Sequence, residues 1–409
     1  MRATTDWLYV SVWSLFVFAS IPVARTLQSA IRAHLGREAF LYGVMTVILV
    51  SSLGAASWLR FRHTRAAPAN YLWLAGVTLV FVAYTWHLRS NPEEAMHFIQ
   101  YGVLALLVYR ALTHHITDTG IYVAAALVTA AIGIVDEALQ WLTPGRVWGL
   151  ADIWLNSFAA LLTLLGVALG IRPTGISGPP GRSTLRILCR AALVIVALLG
   201  LSLLNTPQRI SRYVEAFPAL DFIVDHSSVM AEYGYRYSDQ QALVFRSRLA
   251  PDDLRHSDRT RASEAAKKLD SLPALTDYKT FLRLYTPFTD PFLHEARVHL
   301  NRRDYYLQTA PDYQHDDRDE FRRRMTIAHF ENKIMEDWFT ESLARSGFQL
   351  PESTVAAIRE NAMPDTDYES PVSKALLTRI NEQQVLWTTL LLAVALIGAE
   401  HRFSKTRRS

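Results

Sequence analysis

The sequence has almost no cysteine and lacks the common catalytic signatures. Its 409 residues contain one cysteine, Cys189, which excludes an intrachain disulfide framework, so any domain must fold on its own core. There is no nucleophile elbow, no paired-cysteine metal site and no phosphate loop, because the glycine-rich stretch at 175–181 lacks the Lys and Thr of a P-loop. The sequence therefore predicts neither a metal nor a cofactor, and it leaves open whether the protein is an enzyme.

Acidic residues are scarce in two parts of the chain, which are also its most apolar parts. Of the 38 Asp and Glu residues, only nine lie within 1–204 and 385–409, and the other 29 lie within 205–384, where there are 24 Lys and Arg. The net charge of +4 therefore comes from the apolar parts, where basic loops between membrane spans determine topology. This distribution predicts a lipid bilayer, and no nucleic acid, as the partner of the chain.

Long apolar runs predict an all-α, polytopic membrane protein with a helical transmembrane bundle of about eight spans. A spanning helix needs about 20 mostly apolar residues, because lipid cannot satisfy an open backbone. The predicted spans are 7–23, 39–57, 71–88, 95–112, 121–141, 152–171, 185–204 and 385–400. The first run lacks a basic n-region and a small-residue cleavage site, so we interpret it as a span and not as a signal peptide.

The domain organisation follows from these spans. Residues 1–204 form the bundle, 205–384 form a domain inserted before the last span, 385–400 form that span, and 401–409 form a basic tail. An alternative buries the eighth run in the inserted domain. We disfavour it because the run is uncharged and is followed by basic residues, as a membrane anchor is.

The basic residues also predict an orientation. The tail, with Arg402, Lys405, Arg407 and Arg408, is expected in the cytoplasm by the positive-inside rule. Counting back through eight spans places the N-terminus inside and 205–384 in an extracytoplasmic position. One loop conflicts with this count, because Arg25, Arg32 and Arg37 would lie outside. Either the first span is wrongly bounded or that loop carries an amphipathic segment.

Polar residues gather at three predicted span ends that meet the outer leaflet. Asp136, Glu137 and Gln140 share a face late in the fifth span, and Pro144, Gly145 and Arg146 form the turn that follows. Asp152 and Asn156 begin the sixth span, and His97, Gln100 and Tyr101 begin the fourth. Ionisable groups inside a membrane are costly and usually mark a site. We therefore predict a half-wet pocket for an anionic or polyol head group.

Each residue of this pocket also has a structural interpretation. Asp136 and Arg146 could form an ion pair that fixes the turn. His97 and Tyr101 could be interfacial side chains. Asp152 could be an N-cap residue.

The same residues carry a family resemblance. The segment His97-Phe98-Ile99-Gln100-Tyr101-Gly102, then Asp136-Glu137-x-x-Gln140, Pro144-Gly145-Arg146, and Asp152-x-x-x-Asn156, resembles the VanZ-like membrane protein family. The resemblance covers roughly residues 70–171 and implies a bacterial cell-envelope protein of the cytoplasmic (inner) membrane. The family's namesake is linked to low-level teicoplanin resistance, but the family has no settled activity, so the resemblance implies no reaction. The chain departs from the pattern at Gln100, where many relatives carry an acid, and in its insert at 205–384.

Three functions remain open at this point. In the first, the protein binds or modifies a lipid-linked envelope precursor at the outer leaflet. Its expected catalytic residues are His97, Asp136 and Glu137, and its expected substrate-binding residues are Tyr101, Gln140, Arg146, Asp152 and Asn156. In the second, the protein is a non-catalytic scaffold that recruits an envelope protein through 205–384. The third is a transporter, disfavoured because the acids cluster at one interface.

The inserted domain is predicted to be mainly helical, with a short hairpin within 218–249. It contains a two-histidine motif, His294-Glu295-x-x-x-His299, whose histidines are five apart, whereas a zincin needs them four apart. We predict a surface helix here, with Glu295 paired to Arg302 or Arg303. The run Arg322-Arg323-Arg324 is expected on a solvated charged face.

Overall fold

The computed structural model of the chain describes residues 2–36, 38–62, 66–225, 229–238 and 243–404. Within these ranges, eight helices are long and apolar enough to cross a membrane, as predicted. Seven come first along the chain: α1 (Arg2–Leu35), α2 (Glu38–Arg62), α3 (Pro68–His87), α4 (Met96–Leu112), α5 (Gly120–Trp141), α6 (Leu150–Leu165, continued by a π-helical turn Gly166–Ile171) and α7 (Arg182–Leu203). The eighth is the last helix, α16 (Glu382–Ser404). Several residues used to count charges lie outside the described ranges: Arg37, Lys405, Arg407 and Arg408.

The chain divides into two compact units. The first is Met1–Ser202 with Leu386–Ser409, and the second is Leu203–Val385. In the first unit, α4, α5 and α6 form the interior. Of the residues in the apolar stretch of each of these helices, 50%, 44% and 56% are buried, against 6% to 22% in the other spanning helices. Only 6% of the apolar stretch of α16 is buried, so the alternative that buries this segment in the inserted domain is wrong. The large apolar side chains left exposed on the outer helices suit contact with lipid.

Helix α1 runs antiparallel along α4. Near its start, Asp6 forms an ion pair with Arg110 at 2.9 Å, and its carboxylate lies 2.7 Å from Nε2 of His114. Farther along, Trp13 Nε1 donates to the backbone oxygen of Gln100 at 3.0 Å. A buried acid in a span needs such partners, so these contacts fix the register of the two helices.

The end of α1 corrects the predicted first span. The apolar run ends near residue 23, but the helix continues to Leu35, so Arg25 and Arg32 are helical and not loop residues. Residues such as Ala, Leu, Gln and Arg have high helix propensity and extend the helix beyond its apolar part. Arg32 pairs with Glu93, just before α4 begins.

The second unit is mainly helical and contains the predicted hairpin. Its helices are α8 (Pro207–Ala216), α9 (Asp221–Asp225), α10 (Pro251–Ser271), α11 (Tyr278–Leu284), α12 (Pro291–Thr309), α13 (Arg318–Trp338), α14 (Thr340–Arg345) and α15 (Glu352–Asn361). Strands β1 (Tyr235–Ser238) and β2 (Leu243–Ser247) pair antiparallel, and β3 (Tyr368–Glu369) pairs parallel to β2. Apolar residues of β2, α10, α12 and α13 form its core, among them Phe245, Leu254, Leu300 and Ile334.

The prediction that the two-histidine motif lies on a surface helix is wrong. Glu295 is 1% exposed and His299 is fully buried, because α12 packs against α10 and α13 inside the unit. Glu295 pairs with Arg248 at 3.1 Å and accepts a hydrogen bond from Ser247 Oγ at 2.5 Å, in place of the predicted bridge to Arg302 or Arg303. These partners come from β2 and the segment after it, which the spacing within one helix cannot show.

The two histidines of the motif point to different partners. Nδ1 of His294 lies 3.0 Å from the backbone oxygen of Tyr285, and burial lowers the pKa of His294 to about 4. Nδ1 of His299 lies 2.6 Å from Oε2 of Glu331, on α13. Each imidazole is therefore bound within the unit through Nδ1, while Nε2 of His299 is buried without a hydrogen-bond partner in the protein.

Glu331 is the centre of a buried hydrogen-bond network. Besides His299, its carboxylate accepts hydrogen bonds from Arg302 at 2.9 Å, Tyr368 at 2.6 Å and Ser370 at 2.8 Å. Burial opposes ionisation of Glu331, but His299, Tyr368 and Arg302 together lower its pKa below the ordinary value. A buried carboxylate with this many partners joins α12, α13 and β3.

The arginine run at the start of α13 agrees in part with the prediction of a solvated face. Arg323 is exposed and pairs with Glu320 at 2.6 Å. Arg324 is half-buried, with its guanidinium 4.2 Å from the ring centroid of Tyr313. Only part of this arginine run is therefore exposed to solvent.

Candidate functional site

The polar residues of α4, α5 and α6 meet at one end of the first unit. A tight turn after α5 starts the return into α6, with the Arg146 backbone N–H donating to the Thr143 oxygen at 3.0 Å. Gly145 has a φ of +74°, in the left-handed region that favours glycine. This turn places the last turn of α5 beside the first turn of α6, and the start of α4 packs against both.

A chain of hydrogen bonds connects five of the predicted residues. Tyr101 donates to Oδ2 of Asp136 at 2.9 Å. Gln140 Nε2 donates to the same oxygen at 3.2 Å and to Oε1 of Glu137 at 2.9 Å. Arg146 donates to Oε1 of Gln140. We call these five residues, together with His97, Asp152 and Asn156, the polar cluster.

The centre of the polar cluster is deeply buried. Tyr101, Asp136, Glu137 and Asn156 are each 2% exposed or less. Asn156 and Tyr101 both approach α5 at Gly133, where an added Cβ would lie 3.3 Å from Asn156 Cβ and 3.2 Å from Tyr101 Cε1. Glycine at this position therefore lets α4 and α6 close on α5.

The rim of the polar cluster is half-buried. The imidazole of His97 stacks on the ring of Tyr101, with centroids 6.2 Å apart. Asp152 lies in the first turn of α6, where the helix dipole favours a carboxylate. His97, Asp152 and Arg146 thus surround the buried acids.

The structural interpretations fail for four of these residues. Arg146 donates to Gln140, and Asp136 is held by Tyr101 and Gln140 in place of an ion pair with Arg146. Tyr101 is 1% exposed and so is not an interfacial side chain. The N-cap of α6 is Gly149, so Asp152 is not the N-cap residue.

Several buried polar atoms of the polar cluster have no hydrogen-bond partner in the protein. Among the described residues, these unpartnered atoms include His97 Nδ1, Asp136 Oδ1, Glu137 Oε2, Asn156 Nδ2 and Asn156 Oδ1. Glu93 Oε2 and Trp148 Nε1, from segments flanking the cluster, belong to the same group. A buried unpaired polar group costs about 1–3 kcal/mol, so such atoms are rare and need an explanation.

Sequence reasoning missed two cations near this end of the unit. Nη1 of Arg25 lies 3.4 Å from the position a Cβ would take on Gly145, beside the turn that carries Arg146. Arg32 pairs with Glu93 in the segment before α4. The sequence signal for both arginines was the one loop that conflicts with the positive-inside rule. Sequence reasoning takes such loop charges as evidence of topology and not of a binding site.

Within the part of the chain that the structure describes, no group of three or more His, Cys, Asp or Glu side chains is placed to hold a metal ion. Comparisons of the chain with protein-family models, curated proteins and solved structures found no match. The role of the polar cluster is therefore argued from its own chemistry.

Proposed function

We propose that the polar cluster binds the head group of an anionic lipid or lipid-linked envelope compound. The observation that carries this proposal is the set of unpartnered polar atoms on Asp136, Glu137 and Asn156, buried where three helix ends meet. Buried ionisable groups in a spanning bundle mark a functional site by default. A ligand that enters here would supply the missing hydrogen bonds.

The arginines near the cluster support an anionic group in the ligand. Arg146 is half-buried on the rim, and Arg25 lies beside the same turn. Guanidinium groups bind phosphate and carboxylate through paired N–H donors, which gives both strength and orientation. We assign Arg146, assisted by Arg25, to the anionic part of the ligand.

The cluster is proposed to open at the outer leaflet of the bacterial cytoplasmic membrane, with 205–384 extracytoplasmic. The support is the balance of basic loops, together with the resemblance of residues 70–171 to the VanZ-like family. We assign Arg25 and Arg32 to the site and not to a topology signal, because Arg25 lies beside Gly145 and Arg32 pairs with Glu93, both at the site end.

An enzymatic form of the proposal assigns Glu137 as the general base. Its Oε1 accepts a hydrogen bond from Gln140, while its Oε2 has no partner in the protein. A carboxylate with one oxygen fixed by a hydrogen bond and the other oxygen without a partner is positioned to take a proton from a bound group. His97, with Nδ1 unpartnered, is the alternative base, and Asp136 and Asp152 orient the ligand.

A scaffold role has one observation in its favour. The second unit has its own core and a cleft of about 680 Å³, lined among others by Tyr233, Tyr235, Arg248 and Phe288. Aromatic and arginine side chains are common at protein interfaces. Deleting 205–384 separates the two functions, because head-group binding by the spans survives the deletion only if the polar cluster is the binding site.

The binding function is tested at Arg146. Arg146→Lys keeps the charge but loses the planar fork, so we expect binding of a short-chain phosphatidylglycerol to weaken by roughly tenfold. Native mass spectrometry of the full chain in detergent measures this affinity. Arg89→Lys is the matched control, because Arg89 is exposed and its guanidinium lies over the ring of Trp86. Equal affinity in both variants would remove Arg146 from the site.

The orientation is tested by cysteine labelling in a Cys189→Ser background. Val147 is 60% exposed in the turn before α6, and Gln314 is exposed in the second unit. Cysteines at these positions should react with a membrane-impermeant maleimide in intact cells. A cysteine at Gly175, in the segment before α7, should react only after permeabilisation. The reverse pattern would place the polar cluster at the cytoplasmic face.

A further inference from the structure

The unpartnered atoms of the polar cluster differ in hydrogen-bonding type. Asp136 Oδ1, Glu137 Oε2, Asn156 Oδ1 and the flanking Glu93 Oε2 are oxygen acceptors when the carboxyls are ionised. The donors are fewer: Asn156 Nδ2 and the indole N–H of Trp148. His97 Nδ1 donates or accepts according to its tautomer. The unpartnered atoms are therefore mainly hydrogen-bond acceptors.

The hydrogen bonds already made within the cluster fix the positions of these free acceptor oxygens. Oδ2 of Asp136 already accepts from Tyr101 and Gln140, so Oδ1 is the oxygen left for a further donor. Glu137 is held in the same way, with Oε1 bound to Gln140 and Oε2 left over. The amide of Gln140 is oriented in turn, because Arg146 donates to its Oε1. These oxygens are preorganised acceptors.

A phosphate by itself does not satisfy such a site. Phosphate oxygens are acceptors, and next to ionised Asp136 and Glu137 they would add repulsion between like charges. The arginines lie on the rim and beside the turn, so an anionic group fits there and not among the buried acids. The part of the ligand that reaches the acids must carry hydrogen-bond donors.

We propose that the polar cluster selects head groups that carry hydrogen-bond donors beyond their phosphate, as hydroxyl groups or a primary ammonium. This inference rests on the proposed head-group function and specifies its substrate class. The phosphate contacts Arg146, and the donor-bearing end contacts Asp136, Glu137 and Asn156. A head group of equal charge without O–H or N–H donors leaves those atoms unpaired.

The test compares lipids in two matched pairs, with identical short acyl chains, by native mass spectrometry of the full chain. Phosphatidylethanolamine and phosphatidylcholine are both zwitterionic, but only the first has N–H donors. Phosphatidylglycerol and phosphatidylmethanol carry the same single negative charge, but only the first has hydroxyl groups. In at least one pair, we expect the affinity of the donor-bearing lipid to exceed that of its partner by a factor of about ten or more.

The outcomes separate this inference from the proposed function. A preference in the first pair identifies an ammonium and one in the second identifies hydroxyl groups, and either supports the inference. Equal binding within both pairs, with a loss of affinity in Arg146→Lys, overturns the donor requirement but keeps the head-group site. Binding by none of the four lipids overturns both, and so does equal binding within both pairs that Arg146→Lys does not change.

Discussion

Asp136→Asn is expected to weaken head-group binding by about 10- to 100-fold without loss of the fold. Asparagine has nearly the same shape, and its carbonyl oxygen can still accept from Tyr101 and Gln140. Its amide nitrogen then takes the place of Oδ1, which turns the unpartnered acceptor into a donor. A donor-bearing head group would meet a donor there, so the loss exceeds that of one hydrogen bond.

The control for this substitution is Glu38→Gln. It makes the same change from carboxylate to amide in the same unit, but Glu38 is exposed in the first turn of α2. Lipid affinity from native mass spectrometry and the unfolding temperature in detergent should be measured for both variants. Unchanged affinity in Asp136→Asn would show that Asp136 does not touch the ligand, whereas a lowered unfolding temperature would indicate a structural role.

Glu331→Gln is expected to destabilise the second unit by about 3–5 kcal/mol, the usual cost of breaking a buried ion pair. The amide cannot accept from all four partners of the carboxylate, and it leaves Arg302 without a countercharge. Hydrogen exchange of the full chain at pH 7 should therefore accelerate in α12 and α13. Glu341→Gln, which breaks an exposed pair with Arg345 on α14, should leave this exchange nearly unchanged.

The pH dependence of the Glu331 variant has a definite sign. Because the folded-state pKa of Glu331 is lowered below 4.5, its ionisation stabilises the fold above pH 4.5. That contribution is lost as the pH falls through the folded-state pKa. The difference between wild type and Glu331→Gln should therefore shrink below pH 4.5. A difference that stays constant with pH would contradict the role of the charge.

The bundle and the members of the polar cluster were predictable from local sequence signals. Apolar run length identifies a spanning helix almost by itself. Asp136, Glu137 and Gln140 stood out because acids are rare in spans and their spacing places them on one helix face. The hydrogen bonds among them, and the atoms left unpartnered, depend on side-chain geometry across three helices and needed the structure.

Other features escaped prediction because their partners are distant in sequence. The charged residues of α12 follow a surface-like pattern, but Glu295 meets Ser247 and Arg248 of another segment, and His299 meets Glu331. Arg25 was counted as a loop charge because hydropathy marks the end of the apolar run and not the end of the helix. Tertiary contacts therefore decide the surroundings of Glu295 and His299, whereas for Arg25 helix propensity extends α1 beyond its apolar run.

The central claim, that a lipid head group occupies the polar cluster, is tested most directly by photo-crosslinking in membranes. A phosphatidylglycerol analogue with a diazirine close to its head group should label peptides from 96–101 and 133–156 of the wild-type chain, and Asp136→Asn should lose this labelling. Labelling spread evenly over the lipid-exposed helices, and unchanged in Asp136→Asn, would contradict the claim.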